Sequence, residues 1–314
     1  MICPKCKSQI DDPTAKFCDV CGEPLDQDPL EEQPKPEKKH GFFSLEEREN
    51  PLPWWRYLIA IGAYFFIMEI GAFIFQVIFT LVYQKISGEP ARIDGTYTEA
   101  AANFVNIWMQ IATYLAVTIV TVILLLKPLK LDIQYSNSRK LKTFAFVGMG
   151  IGGVFAANAL CTTFYTILEL FFGKGYFSGD SQNQQAIVDM LKHAGVITFA
   201  LYAIVLVVLA PAVEELVYRK ALCTLLGKMK RIWRIVISAA IFGAIHVVTA
   251  MLGYVFSGAW ELLFIEFMLG FQYVAMGAVL AAAYEYSNRN VIVSFAVHAF
   301  NNLLSVITII ILLM

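Results

Sequence analysis

The sequence predicts an all-α polytopic membrane protein of about seven transmembrane helices, possessing a small cysteine-rich domain at its N-terminus. Hydrophobic residues make up 58% of its 314 residues and charged residues only 16%, whereas a soluble domain contains about 25% charged residues. Several separate apolar segments exceed about 18 residues, a length that crosses a bilayer. The net charge of −1 gives no reason to expect a nucleic-acid partner, so membrane lipid is the expected environment.

The N-terminal domain, residues 1–24, contains two Cys-x-x-Cys pairs, Cys3 with Cys6 and Cys18 with Cys21. Four thiolates at this spacing suit the tetrahedral coordination of a structural Zn²⁺ ion. The residues between the pairs are polar, so the segment needs a metal in place of a hydrophobic core. It resembles the zinc ribbons of many bacterial membrane proteins, which implies a structural role or a protein partner. The alternative is two disulfides, which require an oxidising compartment.

A linker is predicted over residues 25–53, because its charged residues and prolines cannot bury a core. The transmembrane domain is predicted to follow over residues 54–314. Its seven apolar segments predict helices over 55–83, 103–126, 143–172, 195–222, 232–252, 260–284 and 291–314. The third of these contains Gly148, Gly150, Gly152 and Gly153, where we expect it to be tilted or broken.

The orientation follows from the distribution of Lys and Arg among the connections. Connections rich in these residues alternate with poor ones along the chain, and cytoplasmic connections are the rich ones. This pattern predicts a multi-pass protein of the cell membrane with a cytoplasmic N-terminus and a C-terminus outside. No secretory signal peptide is visible before the first apolar segment near Trp54.

Charged residues appear abruptly at the end of one apolar segment. Val196 to Ala210 contains no charge, and Glu214, Glu215 and Arg219 follow within nine residues of Ala210. Charges in a membrane helix are costly and by default mark a functional site. Glu215 and Arg219 are four residues apart and share a helix face. Glu214 points about 100° away from them, so its partner must come from another helix or from water.

Further polar residues lie inside later apolar segments, namely His246, His298 and Asn302. Each one alone would be read as a buried residue with a structural hydrogen bond. Together with the glutamates they favour a shared site, because polar groups in lipid must satisfy one another. Their depths are compatible with one cavity that opens toward the cytosol.

This set of residue types suits hydrolysis of an amide by an activated water. No Gly-x-Ser-x-Gly elbow, buried Ser-Lys pair, aspartate dyad or His-Glu-x-x-His motif is found. Partial desolvation favours the neutral form of a carboxyl group, which suits Glu214 as a general base. A histidine can share the proton, while Asn302 and the other histidine can donate hydrogen bonds to an oxyanion.

Three spaced motifs on separate helices carry a family resemblance. Glu214-Glu215-x-x-x-Arg219, Phe242-x-x-x-His246 and His298-x-x-x-Asn302 together resemble the motif set of the CPBP family. This family comprises the CAAX-prenyl endopeptidases and the bacteriocin-processing (Abi) membrane proteases. The resemblance covers about residues 195–314, which it identifies as the catalytic core, and it implies an eighth membrane helix.

The resemblance implies a glutamate-dependent intramembrane endopeptidase with no cofactor at its catalytic site. By this resemblance Glu214 activates water with assistance from His246, while His298 and Asn302 form the oxyanion site. Glu215 and Arg219 support the site structurally, and Phe242 belongs to the same motif set. The implied substrate is a membrane-embedded or lipid-modified peptide or protein, as in pheromone or bacteriocin processing or immunity.

Two other functions stay open at this point. Glu214, His246 and His298 could ligate Zn²⁺ in a metal-dependent membrane protease. The polar set could instead be structural, in a membrane scaffold or immunity protein without catalysis. Pro211 cannot donate to the carbonyl of Val207, so it is expected to kink the helix and admit water beside Glu214.

Overall fold

The chain divides into two compact units, one within Met1–Ser44 and one within Leu45–Met314. The structure, a computed structural model, describes residues 2–12, 14–25 and 51–313. Most of the predicted linker, residues 26–50, lies outside the described residues. Leu25 packs with Ile10 in the core of the first unit, so the folded N-terminal domain reaches one residue beyond the predicted boundary.

The N-terminal unit consists of two similar turns, which begin at Cys3 and at Cys18. In each turn the N–H of the first cysteine donates to the carbonyl five residues later, at 3.0 and 2.8 Å. The N–H four residues later donates back to that cysteine's carbonyl. This donor residue has positive φ in both turns, 62° at Lys7 and 70° at Gly22. The two turns therefore present their cysteines in equivalent ways.

The second unit contains nine helices within the described part of the chain. They are α1 Trp54–Ser87, α2 Glu99–Leu124, α3 Leu126–Ser138, α4 Lys140–Phe172, α5 Gln182–Lys192, α6 Val196–Leu225, α7 Arg231–Ser257, α8 Trp260–Tyr286 and α9 Val291–Leu313. Seven of them, all except α3 and α5, are long and apolar enough to cross a membrane. The predicted fold class, an all-α polytopic membrane protein, is thereby confirmed.

The seven predicted helices differ from the observed spans by a few residues at their ends. The two helices that the apolar pattern did not predict, α3 and α5, are 13 and 11 residues long and mix polar with apolar residues. Ser181 caps the start of α5 by accepting a hydrogen bond from Gln184 N–H, which is the usual role of serine at this position. Local capping therefore specifies a helix that hydropathy alone does not reveal.

A short hairpin joins α1 to α2. Its strands, β1 Arg92–Ile93 and β2 Thr96–Tyr97, are antiparallel. Asp94 and Gly95 form the turn with φ of 50° and 83°, as a two-residue hairpin turn requires.

Of the two expectations for the glycines of α4, a tilt or a break of the helix, the structure contradicts the break. Helix α4 is continuous from Lys140 to Phe172. A Cβ atom at Gly150 would lie 2.4 Å from Val297 Cγ2 of α9, and one at Gly153 would lie 3.1 Å from Val279 Cγ1 of α8. These two glycines allow close helix packing, which is the reason that the third apolar segment contains them.

Helix α6 departs from regular α geometry twice, at Val205–Leu209 and at Glu215–Leu222, where the helix is of the π type. The first of these segments ends just before Pro211, where a distortion was expected. Each π segment inserts one extra residue into the turn, and such insertions are common at functional sites. The charged residues of α6 lie between and within the two segments.

A buried apolar cluster surrounds the middle of α6 and holds it against its neighbours. It includes Tyr64 of α1, Val213 and Tyr218 of α6, Phe242 of α7 and Val297 of α9. The candidate site lies beside this cluster, since Glu214 follows Val213 on α6, His246 follows Phe242 by one turn on α7, and His298 follows Val297 on α9.

Candidate functional site

The two adjacent glutamates of α6 are both buried. Glu214 is 6% exposed and Glu215 is fully buried. Glu214 ends the short α-helical segment Ala210–Glu214, and Glu215 begins the second π segment. Glu215 contacts Arg219 on its own helix, whereas Glu214 has its contact on α9, as the sequence predicted from helix geometry.

Glu215 is paired with a buried cation. Its Oε2 lies 3.2 Å from Arg219 Nε, and neither side chain is exposed. Arg219 Nη1 donates to Ser238 Oγ at 2.6 Å, and the guanidinium carbon lies 4.8 Å from the centre of the Phe242 ring. This is the pair that the four-residue spacing predicted, and it balances the charge of Glu215 inside the bundle.

His298 of α9 lies between the two carboxylates. Its Nδ1 is 3.0 Å from Glu215 Oε1, and its Nε2 is 3.8 Å from Glu214 Oε2. Because Glu215 is paired with Arg219, its carboxylate accepts the Nδ1 proton, and this orients the imidazole ring. The Nε2 atom then faces Glu214 at a distance longer than a direct hydrogen bond.

His246 of α7 is held by its own helix and by aromatic rings. Its Nδ1 lies 2.6 Å from the carbonyl oxygen of Phe242, and the two side-chain rings are 4.6 Å apart. The ring of Tyr273 stacks on the imidazole at 4.5 Å and 17°. In the described part of the chain, His246 makes no hydrogen bond or ion pair with Glu214, its expected partner.

Asn302 of α9 reaches the first distorted segment of α6. Its Nδ2 donates to the carbonyl of Leu206 at 2.9 Å. In this segment Ala210 N–H donates to the carbonyl of Val205, five residues earlier. At the same spacing, the donor to the carbonyl of Leu206 would be the backbone nitrogen of Pro211. Proline has no N–H, so the carbonyl of Leu206, rather than that of Val207 as expected, lacks its helical partner. Asn302 supplies that donor.

The four N-terminal cysteines form the second candidate site. Their sulfur atoms all lie within 4.8 Å of one another, with Cys3–Cys21 and Cys6–Cys18 both at 3.6 Å. These values suit four thiolates around one Zn²⁺ ion, since Zn–S bonds of about 2.3 Å in a tetrahedron place sulfurs about 3.8 Å apart. All four cysteines are free of disulfides.

The Ser8 hydroxyl lowers the pKa of Cys6 and Cys18, whereas desolvation and hydrogen bonds with the other thiols raise the pKa of Cys21 to about 12. A hydrogen bond from the Ser8 hydroxyl lowers the pKa of Cys18 to about 6, and thiolate is the form that binds metal. Lys5 of the first turn pairs with Glu23 of the second at 2.6 Å. Among the described residues, the four cysteines are the one group of three or more Cys, His, Asp or Glu side chains close enough to hold a metal.

Sequence reasoning missed two residues that contact the predicted ones. Ser238 binds Arg219 and also donates to the carbonyl of Tyr218 at 3.0 Å. Tyr273 stacks on His246. The signal available for Ser238 was its position one turn before Phe242 on the same helix face. For Tyr273 it was a tyrosine inside an apolar segment, where the hydroxyl group needs a partner.

Comparison with known proteins agrees with the motif pattern. Residues 196–304 match a protein-family model described as type II CAAX prenyl endopeptidase Rce1-like. A protein from Mycoplasma capricolum subsp. capricolum, described as uncharacterized, is 26% identical over 272 residues, which cover 83% of this chain and 70% of that protein. No solved structure matches the chain.

The matched region runs from the start of α6 into α9 and includes every residue of the three motifs. Seven helices able to cross a membrane agree with a multi-pass membrane protein. Residues 196–304 therefore form a domain of the Rce1-like type II CAAX prenyl endopeptidase family, a family of membrane proteases.

Proposed function

We propose that the protein is an intramembrane endopeptidase in which Glu214 is the general base. The observation that supports this role most directly is the unequal environment of the two glutamates. Glu215 is balanced by Arg219, whereas Glu214 faces the imidazole of His298 at 3.8 Å. A buried carboxylate without its own cation is suited to gain a proton during a reaction.

In the proposed reaction Glu214 takes a proton from a water molecule whose oxygen attacks the carbonyl carbon of a peptide bond. The tetrahedral intermediate collapses when the C–N bond breaks, and the leaving amine takes the proton from Glu214. Glu215 orients His298 through its Nδ1. When both ring nitrogens of His298 carry a proton, its Nε2 donates a hydrogen bond to the oxyanion. Asn302 contributes a second donor, because its amide has two hydrogens and Leu206 uses one of them.

His246 has a separate part in this proposal. A carbonyl oxygen only accepts, so the contact with Phe242 requires the proton of a neutral His246 to be on Nδ1. Its Nε2 then carries a lone pair that can accept a hydrogen bond from the attacking water. This supports the assisting role that the family resemblance implied for His246.

The proposed substrate is a membrane-embedded or lipid-modified peptide or protein, cleaved near the cytosolic face. Processing of a peptide pheromone or bacteriocin, or immunity to one, fits such a substrate. The N-terminal ribbon, with a structural Zn²⁺ ion, would bind a protein partner or serve only as structure. The N-terminus is proposed to be cytoplasmic and the C-terminus outside.

Comparative peptidomics of membranes tests this proposal. Cells with the wild-type protein should contain cleavage products that are absent with Glu214→Ala, because loss of a general base slows a reaction by about 10²–10⁴-fold. Glu69→Ala is the matched control, since Glu69 is another acid within a membrane helix but lies on α1, outside the site. Identical products in wild type and Glu214→Ala would contradict the proposal, and full complementation by Glu214→Gln would favour a scaffold.

Chelation separates this mechanism from a metal-dependent protease. A version without residues 1–24 removes the cysteine cluster, so any remaining metal effect belongs to the membrane domain. We expect this version to keep its activity in the presence of a strong chelator. Loss of activity on chelation and recovery with Zn²⁺ would favour zinc ligation by Glu214, His246 and His298.

A further inference from the structure

We propose that Tyr273 is a positioning residue that holds His246 in its reactive orientation, and that helix α5 holds Tyr273 in turn. This inference rests on the proposed function of His246. Tyr273 lies on α8, outside the three motifs that identified the site. Its contact with the imidazole comes from helix packing and has no counterpart in the sequence spacing.

Three contacts together fix the His246 ring. The Tyr273 ring lies nearly parallel to it, at 4.5 Å and 17°. The Phe242 ring contacts it at 4.6 Å and 46°. The Phe242 carbonyl accepts the Nδ1 proton at 2.6 Å. The stack prevents rotation of the ring out of its plane, and the hydrogen bond decides which nitrogen carries the proton.

Tyr273 is itself held by the segment that begins α5. Its hydroxyl lies 2.7 Å from Ser181 Oγ and accepts from Asn183 Nδ2 at 3.2 Å. Seven residues earlier on α8, the buried carboxylate of Glu266 accepts from Gln182 N–H. Two side chains on one face of α8 thus hold the first turn of α5. The connection between α4 and α6 therefore determines where the Tyr273 ring lies.

Tyr165 is a second tyrosine that packs against α8, but it does not contact the site. Its hydroxyl donates to the carbonyls of Met268 and Leu269 of α8, and its ring stacks on Phe177 at 6.3 Å. It contacts α8 without touching His246. Replacing Tyr165 therefore perturbs the same helix interface and serves as the matched control.

The test is nitrogen NMR of the full-length protein with ¹⁵N-labelled histidine in detergent micelles. The chain contains four histidines, and the signal that disappears in His246→Gln identifies His246. In the wild type we expect a single neutral form with the proton on Nδ1. Tyr273→Phe keeps the stacked ring but loses the hydroxyl contacts with Ser181 and Asn183, so a smaller fraction of the second proton position should appear than in Tyr273→Met. Tyr273→Met fills the volume without a ring and should give a mixture of both proton positions.

Kinetics provide the second measurement, with a synthetic peptide that spans a cleavage site found by peptidomics. Tyr273→Met should lower kcat by at least about tenfold with little change in KM, since small misplacement of a reacting group is costly. Tyr165→Leu should stay close to wild type, and Tyr273→Phe, which loses only the contacts with the start of α5, should lie between wild type and Tyr273→Met. Tyr273→Leu replaces Tyr273→Met if that variant does not fold.

An unchanged His246 signal in Tyr273→Met, or a wild-type proton on Nε2, would overturn the inference. So would an equal change of the His246 signal in Tyr165→Leu. The spectrum can be measured whether or not the protein cleaves peptides. Absence of cleavage by the wild type would therefore contradict the proposed function and leave this test of Tyr273 intact.

Discussion

The cysteine cluster and the membrane site are both groups of reactive side chains, but the chain assembles them in opposite ways. The cluster joins residues at most 18 positions apart, through two equivalent turns with local backbone hydrogen bonds. The membrane site joins His298 to Glu215 across 83 positions and Asn302 to Leu206 across 96. The first arrangement is local, and the second depends on how four helices pack.

This difference separates what stabilises each site. The cysteines lie in a small unit with a few buried apolar residues, so we expect the proposed Zn²⁺ ion to supply most of its stability. The membrane site is surrounded by a large apolar cluster, and its polar groups satisfy one another. Disturbing either site should therefore affect its own unit.

Removing the metal should have the largest effect. We expect a strong chelator, or Cys18→Ser, to unfold residues 1–25, because structural zinc binding is worth about 10–16 kcal/mol. Zinc content by mass spectrometry and NMR of the ribbon measure this loss. Thermal unfolding of the membrane unit should stay the same, since it has its own core. A parallel loss of both units would show that the comparison is wrong.

The next largest effect is expected for Arg219→Met, which leaves Glu215 buried without its cation. Breaking a buried ion pair in this way costs about 3–5 kcal/mol. The free energy of unfolding in mixed micelles measures the loss. Arg234→Met is the control, because its partner Glu285 keeps Arg289 at 3.8 Å, and this variant should lose less. Equal losses of unfolding free energy in the two variants would mean that the pair of Glu215 with Arg219 stabilises the protein no more than the pair of Glu285 with Arg234.

A smaller effect is expected for Gly243→Ala in α7. A Cβ atom there would lie 2.3 Å from Val274 Cγ2 and 2.9 Å from Val274 N. Forcing α7 away from α8 should cost about 1–3 kcal/mol and should also disturb His246, one turn away. Gly253→Ala on the same helix is the control, because no atom lies within 4 Å of the new Cβ. If both variants unfold alike, the close packing is not important for stability.

The smallest effect on stability is expected for Asn302→Ala, which removes the donor to the Leu206 carbonyl. An unpaired buried acceptor costs about 1 kcal/mol or somewhat more, so the free energy of unfolding in micelles should fall slightly. The matched variant is Asn301→Ala, whose amide donates only to Asn302 Oδ1 at 3.3 Å. A larger loss in Asn301→Ala than in Asn302→Ala would contradict the role of Asn302 beside Pro211.

The sequence by itself determined the features that depend on short spacing. Hydropathy predicted the seven membrane helices, because length and apolar composition decide whether a helix can span a bilayer. Two Cys-x-x-Cys pairs predicted the cysteine cluster, and the four-residue spacing predicted the pair of Glu215 with Arg219. The three motifs also identified three of the four helices that meet at the site, α6, α7 and α9.

Only the tertiary structure decided which residues of different helices face one another. Helix packing placed His298, rather than His246, beside Glu214, and stacked Tyr273 on His246. In the distorted segment of α6 the unpaired carbonyl is that of Leu206, and Asn302 of α9 donates to it. Spacing along one helix contains no information about rotation or register relative to its neighbours, so the sequence could not have specified these contacts.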